Sequence, residues 1–140
     1  MSSAGTARVV NIGGVMQIKD DEPFSDDYFT RTRNFPTMVL GVDGALTGTY
    51  TWVEKAGGEI RVEVLVTATL NPATGVVAIE HDTKLFEGTS ETTSDLDGRG
   101  RGSVQVPRGE QKVLGYTVNN TDEGGDYASV TLTCTNSRLR

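Results

Sequence analysis

Twelve of the nineteen acidic residues crowd into three short stretches, 20–27, 87–98 and 119–126, none of which contains a Lys or Arg. Carboxylate oxygens gathered on loops suit Ca2+, which takes six to eight oxygens from carboxylates, carbonyls and waters. Asp20, Asp21, Asp26, Asp27, Asp95, Asp97, Asp122 and Asp126 are the expected metal ligands. Glu22, Glu123, Ser94, Asn119 and Asn120 offer further oxygens. Asp95-Leu96-Asp97-Gly98 has the alternating carboxylates and glycine of a calcium loop, without the third ligand pair and terminal Glu of an EF-hand. The competing expectation is a set of solvated loops neutralised by Arg31, Arg33, Arg99 and Arg101, which flank the acidic stretches.

Phe24, Tyr28 and Phe29 lie in and just beyond the first acidic stretch. As a binding element they would form an apolar tip that enters a partner pocket or membrane interface. As packing they would plug the open end of the core, and the rarity of large exposed apolar patches favours the plug. Catalytic chemistry has little to work with. His81 is the sole histidine and follows Val77 and Ile79 on an alternating pattern, as a structural residue would. One His and one Cys cannot build a structural zinc site, and no phosphate-cradling glycine motif occurs. Paired carboxylates can cleave a glycosidic bond, but 6% aromatic content is thin for a sugar-stacking cleft. The expectation is a non-enzyme.

The elements that must position the acids are strands. The chain has 140 residues, enough for one domain that buries roughly two-thirds of its unfolded surface. Its 17 glycines, with many Val and Thr, suit strands joined by tight turns. The net charge of −6 disfavours nucleic acid, whose phosphates seek basic surfaces, and unassisted binding to anionic lipid. Cys134 is alone, so no internal disulfide forms, and its apolar neighbours mark it as a buried small hydrophobe. No signal peptide or membrane span is visible, so the cytoplasm is the default compartment.

Residues 1–6 read as a flexible arm, 7–135 as a single β-sandwich domain and 136–140 as a polar tail. A long strand over 7–19 is expected to kink at Gly13-Gly14, where a bulge fits. Residues 28–35 read as irregular. Strands follow at 37–42, 46–55, 59–70, 76–86, 103–106, 111–118 and 127–135. The clearest alternation is Ile60, Val62, Val64, Val66, Ala68 and Leu70 on one face. Asp43-Gly44 predicts a two-residue hairpin. The run Gly98-Arg99-Gly100-Arg101-Gly102 reads as a flexible loop, and Tyr127 as a tyrosine corner bonding back across the link before it. About eight strands and no helical period give an all-β antiparallel β-sandwich, in a Greek-key or C2-like/immunoglobulin-like layout.

If every link reverses the chain, the three acidic links are the first, fifth and seventh. All are odd, so they share one pole. That layout resembles the C2 domains, whose loops bind calcium and then phospholipid or protein. The resemblance is one of layout, and the acidic pole itself leads to the first expectation: a non-catalytic calcium-binding module whose acidic pole binds another protein, a lipid headgroup or a glycan. The alternative is a structural or assembly subunit of a homo-oligomer or larger particle, whose acidic loops only face solvent.

Overall fold

The computed structural model describes residues 7–122 and 124–139. The expected arm at 1–6 lies outside the described residues, as do Glu123 and Arg140. Among the described residues there is no helix; nine strands form two antiparallel sheets. One sheet has the order β2 (Asp26–Asn34), β1 (Arg8–Asp21), β9 (Tyr127–Arg138), β8 (Gln111–Asn119), and β3 (Met38–Leu40) pairs with the start of β1. The other runs β4 (Thr47–Ala56), β5 (Ile60–Leu70), β6 (Val77–Glu87), β7 (Leu96–Val106). The chain is thus an all-β antiparallel sandwich, as expected.

The links are plainer than the Greek-key, C2-like or immunoglobulin-like layout anticipated. Every hairpin joins strands consecutive in sequence, β3 continues the pairing of β2 along β1, and among the described residues the β1–β9 pair ties the two ends of the sheet path together. Alternation builds the core. Met16 and Ile18 of β1 and Val130, Leu132 and Cys134 of β9 face Val62, Val64 and Val66 of β5 and Ile79 and Leu85 of β6, all buried. Trp52 of β4 is fully enclosed, with Phe35 set against it edge-on at 6.0 Å.

Several expectations are corrected. The pairing of β1 runs unbroken through Gly13 and Gly14, with no kink or bulge. Gly14 is there because the Trp52 ring lies across it, where a Cβ would collide. Residues 28–35 are mostly strand: β2 was hidden because its half-buried positions are Phe29 and Arg31 rather than a run of aliphatics. Asp43 and Gly44 do form a tight turn, with φ of 55° and 77°, closed by a Val42–Ala45 bridge. That turn carries the chain from one sheet to the other instead of joining paired strands. The Gly-Arg run is strand, not loop. Its glycines face inward because Val118 of β8 lies over Gly98 and Gly100, and His81 over Gly102. β9 extends to Arg138, so 136–138 are not tail.

The supposed end of the chain is in fact a buried hub. Asn136 donates from Nδ2 to the Gly75 and Val106 carbonyls, 2.8 Å each, and its Oδ1 accepts from Arg8 Nε at 2.7 Å. It thereby ties the 71–76 and 107–110 links to β1, at the pole opposite the acids.

Candidate metal centre

Strand parity brings the three acidic stretches together, and hydrogen bonds fasten them. The Asp21 amide donates to Asp126 Oδ1 at 2.6 Å, joining the first stretch to the third. The Thr121 amide and hydroxyl both donate to the Asp97 carbonyl, at 2.8 and 2.9 Å, joining the third to the second. The Gly58 amide donates to Glu91 Oε2 at 3.0 Å, bringing the β4–β5 turn to the same pole.

The β1–β2 hairpin sets like charges against each other. Its register places Asp20 opposite Asp27 and Asp21 opposite Asp26, an arrangement that destabilises a hairpin. On the inward side, single carboxylate oxygens of Asp20, Glu22 and Asp27 lie within 4.8 Å of one another. Asp20 is only 3% exposed. Its carboxylate lies over the Gly57 turn residue, whose φ of 63° and missing Cβ leave room for it. Burial first, and then Glu22 and Asp126, push the Asp20 carboxyl up to about 7. Its one side-chain hydrogen-bond partner among the described residues is another carboxyl, that of Glu22.

A second triad joins Asp95, Asp97 and Asp122, again with oxygens within 4.8 Å. Here a β-bulge is responsible. Leu85 pairs with Gly98 but Phe86 with Leu96, so Asp97 is the extra residue and turns inward. Asp97 and Asn120 are both buried, and the Asn120 Oδ1 accepts the Asp122 amide at 2.9 Å to fix that corner.

The expected ligands therefore divide. Asp20 and Asp27 stand in the first triad, with Glu22 completing it; Asp95, Asp97 and Asp122 form the second. Asp126 lies beside the first but commits Oδ1 to the Asp21 amide and faces Asn120 Nδ2 at 3.4 Å, and burial raises its carboxyl. Asp21 and Asp26 face outward, where hydrogen bonding to Asp26 raises Asp21 and Lys19 stands 3.8 Å from Asp26. Glu22 was hard to rank by sequence, because turn residues have no face until the hairpin register is known.

The flanking arginines do not reach these oxygens. Arg31 and Arg33 approach Glu54 at 3.8 and 4.0 Å across the β2–β4 seam. Arg99 grips Asp82 with two bonds of 2.9 and 2.7 Å and Arg101 stands at 3.4 Å, which holds Asp82 down at about 2. The aromatics also part company. Phe24 is 100% exposed at the hairpin tip and Tyr28 55% exposed, whereas Phe29 packs on the core. The plug expected of all three is realised by Phe29 alone. Tyr127 points its hydroxyl at Gln17 Oε1, 3.4 Å away on β1, so the tyrosine corner is not formed.

His81 is buried and stacked on Tyr116 at 3.5 Å, and its Nδ1 meets Thr83 Oγ1 at 3.0 Å. Burial lowers His81 and lifts the Tyr116 hydroxyl to about 12. No family model, curated protein or solved structure matches the chain.

Proposed function

We propose that the protein is a non-catalytic binding module whose acidic pole holds Ca2+ at Asp20, Glu22 and Asp27, with Asp95, Asp97 and Asp122 as a second, looser position. One observation supports this most. Asp20 is a deeply buried carboxylate whose side-chain company is other carboxyls, while the nearby arginines are engaged elsewhere. A buried charge without a counter-charge is costly, and a divalent cation between three carboxylates removes that cost. The ion would relieve the Asp–Asp pairs, lock the β1–β2 hairpin and set Phe24 and Tyr28 as the apolar edge of a surface for a partner protein, lipid headgroup or glycan.

Thermal unfolding with excess Ca2+ and with chelator tests the reading. At a free concentration of about 100 times Kd, binding to the native state adds about 2.7 kcal/mol of stability. Identical melting curves in both buffers, together with no heat of binding by titration calorimetry, remove it.

A further inference from the structure

The pole opposite the acids gathers three arginines against two acids, Asp43 and Glu110. Arg8 begins β1 there, Arg108 sits in the β7–β8 link, and Arg138 ends β9. Arg8 is only 3% exposed, and among the described residues its guanidinium donates to neutral groups, Asn136 Oδ1 at 2.7 Å and the Asn136 carbonyl at 3.2 Å. Among the described residues no carboxylate lies within 4.0 Å of any of the three arginines. Arg8 pairs with Arg138 across β1 and β9, and burial first, then Arg108 and Arg138, lower Arg8. Glu110, the nearest acid in the link, is taken by Lys112 at 3.4 Å.

The two poles cannot neutralise each other within one molecule. Strands of 11 residues rising about 3.3 Å per residue separate them by roughly 35 Å, several times the Debye length of about 8 Å at physiological salt. Compensation has to come from outside the chain. Nucleic acid is a poor candidate, since two exposed guanidiniums on a molecule of net charge −6 offer it little. A compact surface rich in carboxylates fits better, because Arg pairs with carboxylate through two parallel hydrogen bonds, and this chain carries such a surface at its other end.

We propose that the protein associates head to tail, the acidic pole of one copy seated on the Arg108–Arg138 pole of the next. Two different surfaces meet in such a contact, so it is heterologous, and it repeats into an open stack unless the rotation closes a ring. Phe24, fully exposed at the tip of the 22–25 turn, is the apolar anchor at its centre. The inference goes beyond the cation reading and stands without it: one Ca2+ offsets two of the charges and leaves the pole acidic.

Sedimentation velocity and light scattering test it over a wide concentration range, at low salt and at about 0.5 M, where screening is within about 5 Å. The wild type should exceed its 15.0 kDa monomer mass increasingly with concentration at low salt, pass the dimer, and return to monomer at high salt. Arg108→Gln with Arg138→Gln neutralises one end; Asp26→Lys with Glu59→Lys removes the other. All four positions are exposed, and circular dichroism checks each fold, with Arg138→Gln alone as the milder substitute. Each variant alone should be monomeric. Mixed in equal amounts they should form a dimer and stop, since each retains one competent pole. Phe24→Ser should weaken the wild-type association at least fivefold.

A wild type that stays monomeric throughout overturns the proposal, whatever small anions the arginines hold. So does a mass that plateaus at dimer in the wild type, or one the substitutions leave unchanged. Each run is made in Ca2+ and in chelator. Association confined to Ca2+ sinks this inference and spares the cation reading; association in chelator without any thermal response to Ca2+ does the reverse.

Discussion

Asp20→Asn should make the metal-free protein more stable, although it alters a buried polar residue. The wild-type carboxyl is held near 7 rather than its ordinary 3.8, so forcing it to ionise at pH 8 costs up to about 4 kcal/mol at about 1.4 kcal/mol for each tenfold. Asp20 and Glu22 share that burden, which brings the expected gain to about 1–2 kcal/mol. Asn keeps the shape and adds an N–H that Glu22 can accept. The sign follows from the raised carboxyl. The folded state binds the proton more tightly than the unfolded chain, so the contribution is fully present below about 3.8 and lost as pH rises through about 7. The advantage of Asn should therefore be small at pH 4 and full at pH 8. Thermal unfolding in chelator at both pH values measures it, with roughly 4–8 °C expected at pH 8. Excess Ca2+ should reverse the order, since the wild type gains a ligand and the variant loses one. If Asn is destabilising in chelator at pH 8, Asp20 already has a satisfying partner and the reasoning fails.

Asn136→Leu removes the acceptor of buried Arg8 and two bonds to link carbonyls, and should cost about 3–5 kcal/mol in urea unfolding. His81→Phe should flatten the acid limb of the stability curve. Burial lowers His81, so wild-type stability is full above about 6.5 and falls as pH drops below it, whereas the variant loses that slope when the two are compared in chelator. Gly100→Val places methyl groups against Val118 of β8 and should cost about 1–3 kcal/mol, read by chemical denaturation.

What was legible in the chain followed from alternation and from turn chemistry. β5 and β6 bury Ile60, Val62, Val64, Ile79 and Leu85 on one face, so their pattern survives translation into structure. The parity of the links was legible too, because the one added strand and the one broken strand cancel: β2 and β3 run in the same direction along β1, as one strand interrupted at Phe35-Pro36-Thr37. β7 was not legible above Ser103. A strand whose inward residues are glycines shows no hydrophobic face, and its outward Arg99 and Arg101 look like loop charges until Asp82 is seen beneath them. The difference between Asp20 and Asp21 was equally hidden, since neighbours on a strand face opposite ways and only the register of β1 against β9 says which faces in.

The wiring explains why charge separates so completely. In an up-and-down sandwich, alternate links gather at opposite poles, so a compositional difference between odd and even links becomes a charge difference along the whole molecule. Here the odd links hold the acidic stretches, while the even ones hold Arg108 and the hub on which Arg8 rests, with Asp43 and Glu110 as their acids. Lys19 offsets Asp26 and Lys112 offsets Glu110, but the other cations near the acids in sequence go elsewhere: Arg31 and Arg33 serve the β2–β4 seam, and Arg99 and Arg101 serve the outer face of β6–β7. Four cations that stand next to the acids in sequence are thus consumed by holding the two sheets together and by pairing strands. The acidic pole is left to an ion or a neighbour, and those two claimants make opposite predictions for salt. Raising monovalent salt should loosen the contact between copies steeply, because it lies at exposed charge, while Ca2+ bound at buried Asp20 should be affected far less.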